Sequence, residues 1–182
     1  MYILYHREIE EMGCVFVGLG GNIGDTAAVF QSALNKIRLM SGVSGLTVSR
    51  FFRTTPVSPI PQADFLNAVC SFSYEDTPWQ LLKGLQQIQE ELGQQPKCKD
   101  VPRIIDLDIL LFGNTVCKDK RLEIPHPRML ERLFVLIPLL DLVDTIPISQ
   151  EGITLDIKKY IEFLPNLHHE QVVPLQVQEN RS

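Results

Sequence analysis

The sequence predicts an α+β domain in which an antiparallel sheet carries its helices on one face. Three observations point there: short apolar runs that alternate with period two, amphipathic segments of helical period between them, and glycine or proline breaks separating the two kinds. At 182 residues the chain fits a single domain with one core. Residues 14–20 read as a buried strand closed by Gly20, Gly21, Asn22, Ile23 and Gly24, a loop that needs positive φ. Asp25 is placed to cap a helix whose apolar positions Ala27, Phe30, Ala33, Leu34, Ile37 and Met40 recur at helical spacing, with Gly42 as its stop. Residues 46–53 and 65–74 alternate and carry aromatics, so both read as strands. Between them, residues 54–63 hold Pro56, Pro59 and Pro61, too long for a tight hairpin and stiffened in φ, as suits a shaped binding loop.

Thr77 and Pro78 open a second helix in the favoured order of cap then proline, with an apolar stripe of Leu81, Leu82, Leu85, Ile88 and Leu92 that ends at Gly93. After a polar loop over residues 94–103, residues 104–112 form an apolar strand interrupted only by Asp106 and Asp108. Residues 129–143 have helical character, with a break expected at Pro138. The resulting order, βαββαβ, matches the ferredoxin-like arrangement, whose second sheet face is left for loops and ligands. Residues 153–163 suggest a short strand and helix as a small C-terminal extension. The domain is expected over residues 13–165, between an N-terminal extension at 1–12 and a tail or linker at 166–182.

Composition narrows the function. An apolar fraction of 45% excludes a disordered chain, and a net charge of −5 with 17 dispersed Lys and Arg argues against a nucleic-acid groove. Cys14, Cys70, Cys98 and Cys117 lack zinc-ligand or redox spacing, and the first residues lack a secretory apolar stretch, which predicts a cytoplasmic protein with reduced thiols. No run is long and apolar enough for a membrane span.

Asp106 and Asp108 stand two apart on a strand, so they share one face while Ile105, Leu107 and Ile109 point to the other. Adjacent carboxylates repel unless a cation lies between them, and hard oxygen donors suit magnesium that also holds nucleotide phosphates. Two solvated acids on an edge strand is the plain alternative. Arg103 before the strand and Arg121, His126, Arg128 and Arg132 after it gather cations beside these acids, and phosphates account for both signs. His126 lies between Pro125 and Pro127, which restrict where the imidazole points. The glycine-rich stretch 18–24 lacks the Lys-Ser/Thr ending of a phosphate loop and reads as a strand-to-helix connection. Asn67, between Phe65 and Val69 on one face, either reads the edge of a flat heterocycle or is a satisfied core amide.

Over residues 15–142 the chain resembles the 6-hydroxymethyl-7,8-dihydropterin pyrophosphokinases. The resemblance rests on Gly20-Gly21-Asn22, on Phe52, Arg53, Thr54 and Pro56, and on Asp64-Phe65-Leu66-Asn67-Ala68. It extends through Pro102-Arg103, the stretch 105–112 with its aspartates, and Arg121 to Met129 with its Pro-His-Pro centre. It implies transfer of diphosphate from ATP to the pterin hydroxymethyl group, with AMP leaving, in folate biosynthesis. It further implies Asp106 and Asp108 as ligands of two magnesium ions and Arg103 as the cation on the transferring group. The pterin would lie between Phe65 and Phe134, read by Asn67 and by the backbone near Thr54, Pro56 and Val57. Gln86, Ile109, Arg121, His126 and Arg132 match nucleotide-contacting positions. The implied partners are ATP and the reduced pterin, with neither nucleic acid nor membrane, and dihydropteroate synthase either fused to the chain or acting beside it.

The chain departs from the family after the second helix, where a Gly-Arg-x-Arg and a Trp-Gly-Pro-Arg element are usual and this sequence has Gly93-Gln94-Gln95-Pro96-Lys97-Cys98-Lys99. Gln89 stands where the family has an acid. Lys97 or Lys99 is expected to replace a missing arginine, as a point charge without the bidentate fork. An RNA-binding module on the same strand order is disfavoured by the missing aromatic and basic signature, and a non-catalytic binder would form no AMP.

Overall fold

The computed structural model describes residues 14–55, 62–94, 102–148, 153–163 and 171–175. The elements are β1 Cys14–Gly21, α1 Thr26–Arg38, β2 Val43–Val48, β3 Phe52–Thr54, β4 Phe65–Tyr74, α2 Pro78–Glu91 and β5 Asp106–Phe112. They continue with β6 Cys117–Asp119, β7 Leu122–Ile124, α3 Leu133–Leu140, β8 Thr145–Pro147, β9 Thr154–Asp156, α4 Ile157–Glu162 and β10 Val172–Pro174.

Both long helices begin as the sequence predicts. The Asp25 carboxylate accepts from Ala28 N–H at 3.1 Å, and the Thr77 hydroxyl accepts from Gln80 N–H at 3.3 Å with Pro78 following. Gly93, at φ +88°, ends the second in a backbone conformation that a Cβ would strain. The main sheet runs β10-β3-β4-β1-β5, with β2 also on β4, and its pairings are antiparallel.

The expected strand at 46–53 is in fact two strands on one edge of β4. Ser49 causes the break: its N–H donates to Val69 O at 2.9 Å, and its hydroxyl, in place of a carbonyl, accepts from Val69 N–H at 3.0 Å. The chain then turns outward at Arg50, whose main-chain N–H, Nε and Nη2 all donate to the Asp141 carboxylate at 2.6–3.0 Å. That doubly gripped guanidinium holds Asp141 below the usual carboxylate range, chiefly through the side-chain hydrogen bond.

Helices cover both sheet faces, not one. Phe30, Leu34 and Ile37 of α1 and Leu81, Leu85 and Ile88 of α2 pack with Val15, Val17, Leu19, Ala68 and Phe72 on the first face. On the second, Val135, Leu136 and Leu139 of α3 pack over Phe16, Val69, Leu110 and Leu111. Period-two alternation reveals that a strand has two faces but not whether a later helix will return to the second. Within 129–143 the break falls at Arg132, which is extended at φ −127° and ψ 108°, while α3 runs through Pro138. Only one helical hydrogen bond is forfeited at that proline, and burial of the surrounding leucines on the sheet offsets it.

The stretch taken as a tail or linker contributes β10, which pairs with β3 by matching Val172 to Thr54 and Pro174 to Phe52. Leu175 N–H donates to Phe51 O at 2.7 Å and continues the ladder. Cys70 is wholly buried between the helices and the sheet, and that burial pushes its thiol up to about 12. No helix among the described residues is long and apolar enough to cross a membrane.

Candidate active site

The second face is covered at the Phe16 end by α3 and carries the polar residues at the other. Strand register builds the site rung by rung. Gly20 of β1 lies opposite Asp106 on one side and Asn67 on the other, and Gly18 lies between Asp108 and Val69 in the same way. Paired residues point to the same face, so the two aspartates and Asn67 project together over a floor of glycine. A Cβ built on Gly20 would stand 3.4 Å from Asn67 Oδ1. Gly20 therefore keeps the space between Asp106 and Asn67 open, whereas the Leu110 side chain fills the space above Gly18, 3.5 Å from where a Cβ would stand, and reading the glycines as a mere connection missed this. Their shared parity with Asp106 and Asp108 across the ladder was the available signal.

Arg103 Nη1 donates to Asp106 Oδ2, an ion pair that is largely buried on the carboxylate side. Its main chain is fixed as well: Asn22 and Ile23 N–H donate to Arg103 O at 2.9 and 3.2 Å, and Arg103 N–H donates to Asn22 Oδ1 at 2.9 Å. Gly21 makes this approach feasible, because a Cβ there would lie 2.6 Å from Ile104 O. Asn22 Nδ2 also donates to Gln62 Oε1 and Ala63 O, both at 3.2 Å, tying in the end of the proline loop. Asn22 carried no role in the sequence reading.

Asn67 is 5% exposed and donates to Thr54 Oγ1 at 2.8 Å, with Thr54 opposite Phe65 in the β3–β4 pair. Phe65 and Phe134 are half-buried. The Arg132 guanidinium stands 5.5 Å from the Phe134 ring centre. Burial and then Arg128 lower its proton affinity, while Asp108 and Asp106 raise it, so Arg132 shares the field of the aspartates. His126 N–H donates to Leu110 O at 2.9 Å, and its Nδ1 accepts from Arg128 N–H at 3.2 Å, which leaves the proton of a neutral imidazole on Nε2.

Other expected residues lie away from this cluster. Arg121 is exposed and packs 4.9 Å from the Trp79 ring centre while pairing with Asp119. Gln86 lies on the exposed side of α2. The Ile109 side chain is buried in the core with α1 and α2, on the face opposite the aspartates. Pro56, Val57, Lys97 and Lys99 lie outside the described residues.

Two carboxylates on one sheet face, flanked by half-buried arginines and set across Gly20 from a buried amide, are a donor set suited to a phosphate-transferring enzyme. Residues 16–144 match the family model described as 7,8-dihydro-6-hydroxymethylpterin-pyrophosphokinase. The chain belongs to that family. It is similar to the Bacillus subtilis 2-amino-4-hydroxy-6-hydroxymethyldihydropteridine pyrophosphokinase, with 39% identity over 70% of this chain and 76% of the relative. The Haemophilus influenzae enzyme of the same name is 33% identical over 79% of this chain and 90% of its own length. The Pneumocystis carinii folic acid synthesis protein is 36% identical over 95% of this chain, which spans only 23% of that protein. Among solved structures, a Plasmodium falciparum HPPK-DHPS has the same fold, with TM-score 0.60 and 14% identity, over 84% of this chain and 41% of that one.

Proposed function

We propose that the glycine-floored groove is where this diphosphokinase transfers diphosphate from ATP to the hydroxymethyl group of 6-hydroxymethyl-7,8-dihydropterin, releasing AMP. The observation that carries this reading is the register placing Asp106 and Asn67 on either side of Gly20, a phosphate end and a heterocycle end on one rung. In this reading β5, β1, β4 and the β3/β2 edge, with α1 and α2, form a ferredoxin-like core within a domain at residues 13–165 that the returning strand β10 completes, acting in the cytoplasm.

The donor set fits magnesium. Two same-face carboxylates leave room for the waters and phosphate oxygens that this ion retains, and Asp106 and Asp108 would hold two ions. Magnesium held there would supply positive charge against the phosphates of the nucleotide. Arg103, held at its main chain by Asn22 and at its guanidinium by Asp106, is preorganised to meet the transferring group. Arg132 adds charge from the α3 side, and Phe65 and Phe134 enclose the pterin while Asn67 and Thr54 orient it. His126, Arg121, Gln86 and the main chain of Ile109 serve the nucleotide, with Lys97 or Lys99 as a further cation. Positioning and charge neutralisation supply most of the rate. The relation to longer folate-synthesis proteins supports dihydropteroate synthase as a fused or neighbouring activity.

The direct test is AMP formation from ATP, which is expected only when the pterin alcohol is present. ATP hydrolysis indifferent to the pterin would sink the reading. A second result separates the two ends of the groove: Asn67→Ala is expected to weaken pterin binding by about 1–3 kcal/mol, leaving ATP affinity nearly unchanged, because polar groups of the ligand lose their partner. Calorimetric titration with each ligand alone checks it, and equal losses would make Asn67 a structural amide.

A further inference from the structure

We propose that Gln94 is a positioning residue for the aspartate pair, acting through the main chain of the segment that carries it. The inference rests on reading Asp106 and Asp108 as metal ligands. β5 is the edge of the main sheet, so the N–H groups facing away from β1 have no strand to meet them. Residues from the end of α2 satisfy them. Gln94 Oε1 accepts from Ile104 N–H at 2.9 Å and from Ile105 N–H at 3.2 Å. Gln89, 6% exposed, accepts from Leu107 N–H at 2.8 Å through its Oε1. These N–H groups belong to the two residues before Asp106 and to the one between Asp106 and Asp108.

The clamp is anchored in turn. Gly93 reverses the chain after α2, and Gln94 N–H donates to Gln89 O at 2.9 Å, so both glutamines share one rigid origin at the helix end. A single amide oxygen using both lone pairs on consecutive N–H groups restricts the backbone in two directions. Displacing this segment swings both carboxylates, whereas β1 on its other edge controls only the register. Each glutamine acts through the backbone of this segment.

Gln94→Met keeps the length of the side chain and removes its acceptor, while Gln94→Glu keeps the acceptor. Manganese binding measured by electron paramagnetic resonance, with α,β-methylene ATP present, reads the metal site without turnover. Gln94→Met is expected to weaken manganese binding and lower kcat about tenfold each, with the pterin KM unchanged, and Gln94→Glu is expected to restore both. Amide hydrogen exchange at Ile104 and Ile105 should accelerate in Gln94→Met alone. Lost amide protection with unchanged manganese affinity and kcat would overturn the proposal by showing a clamp that holds structure only. Unchanged protection would overturn it by showing no clamp. Asp108→Ala serves as a control: manganese binding equal to that of the parent chain would refute the metal reading itself, a result distinguishable from either.

Discussion

Asp106→Ala and Asp108→Ala are each expected to slow diphosphate transfer at least about a hundredfold, the scale on which a single preorganised electrostatic group acts. The fold should survive both. The carboxylates face the groove, whereas Leu107 and Ile109 between and beyond them keep their packing in the core on the opposite side. Asp106→Ala also frees Arg103 from its partner, so it should weaken ATP binding more than Asp108→Ala does. Turnover at saturating magnesium beside thermal melting is the measurement. Near-normal turnover in either variant would remove that aspartate from the metal site.

The second large effect is expected from a residue with no functional group. Gly20→Val should abolish measurable transfer while the chain still folds, since valine is well suited to a strand and the open face has room for it. Its side chain would rise between Asp106 and Asn67, where even a first carbon stands 3.4 Å from Asn67 Oδ1. Both ligands should lose affinity together, unlike the selective loss expected of Asn67→Ala. A Gly20→Val protein with normal turnover would show that substrates do not cross this rung.

These results separate what was legible in the sequence from what was not. Asp106 and Asp108 could be read because period two puts them on one face, and Asn67 because its strand alternates cleanly. Helix starts at Asp25 and Thr77 were legible because capping is local chemistry. The break at Ser49 was hidden, since a hydroxyl standing in for a carbonyl on Val69 depends on a strand twenty residues away. The roles of Asn22, Gln89 and Gln94 were hidden for the same reason: each is a polar side chain whose partner is a backbone group of a distant segment. The second helical face escaped because α3 is apolar nearly all round, so its stripe cannot announce which surface it will cover. The β6–β7 hairpin was too short to rise above the loop signal.

The pairing of β3 with β10 has a consequence for how the chain reaches this structure. Val172 and Thr54 are paired across most of the length of the chain, and β1 likewise pairs with strands far from it in sequence, β4 and β5. Ladders closed between such distant segments demand large loop-closure entropy before they return any contact energy, and chains built this way search slowly. The local helices are available early, while the strand beside Thr54 can be completed only from the far end of the molecule. The Thr54 edge of the sheet is thus closed by a strand from the far end of the chain.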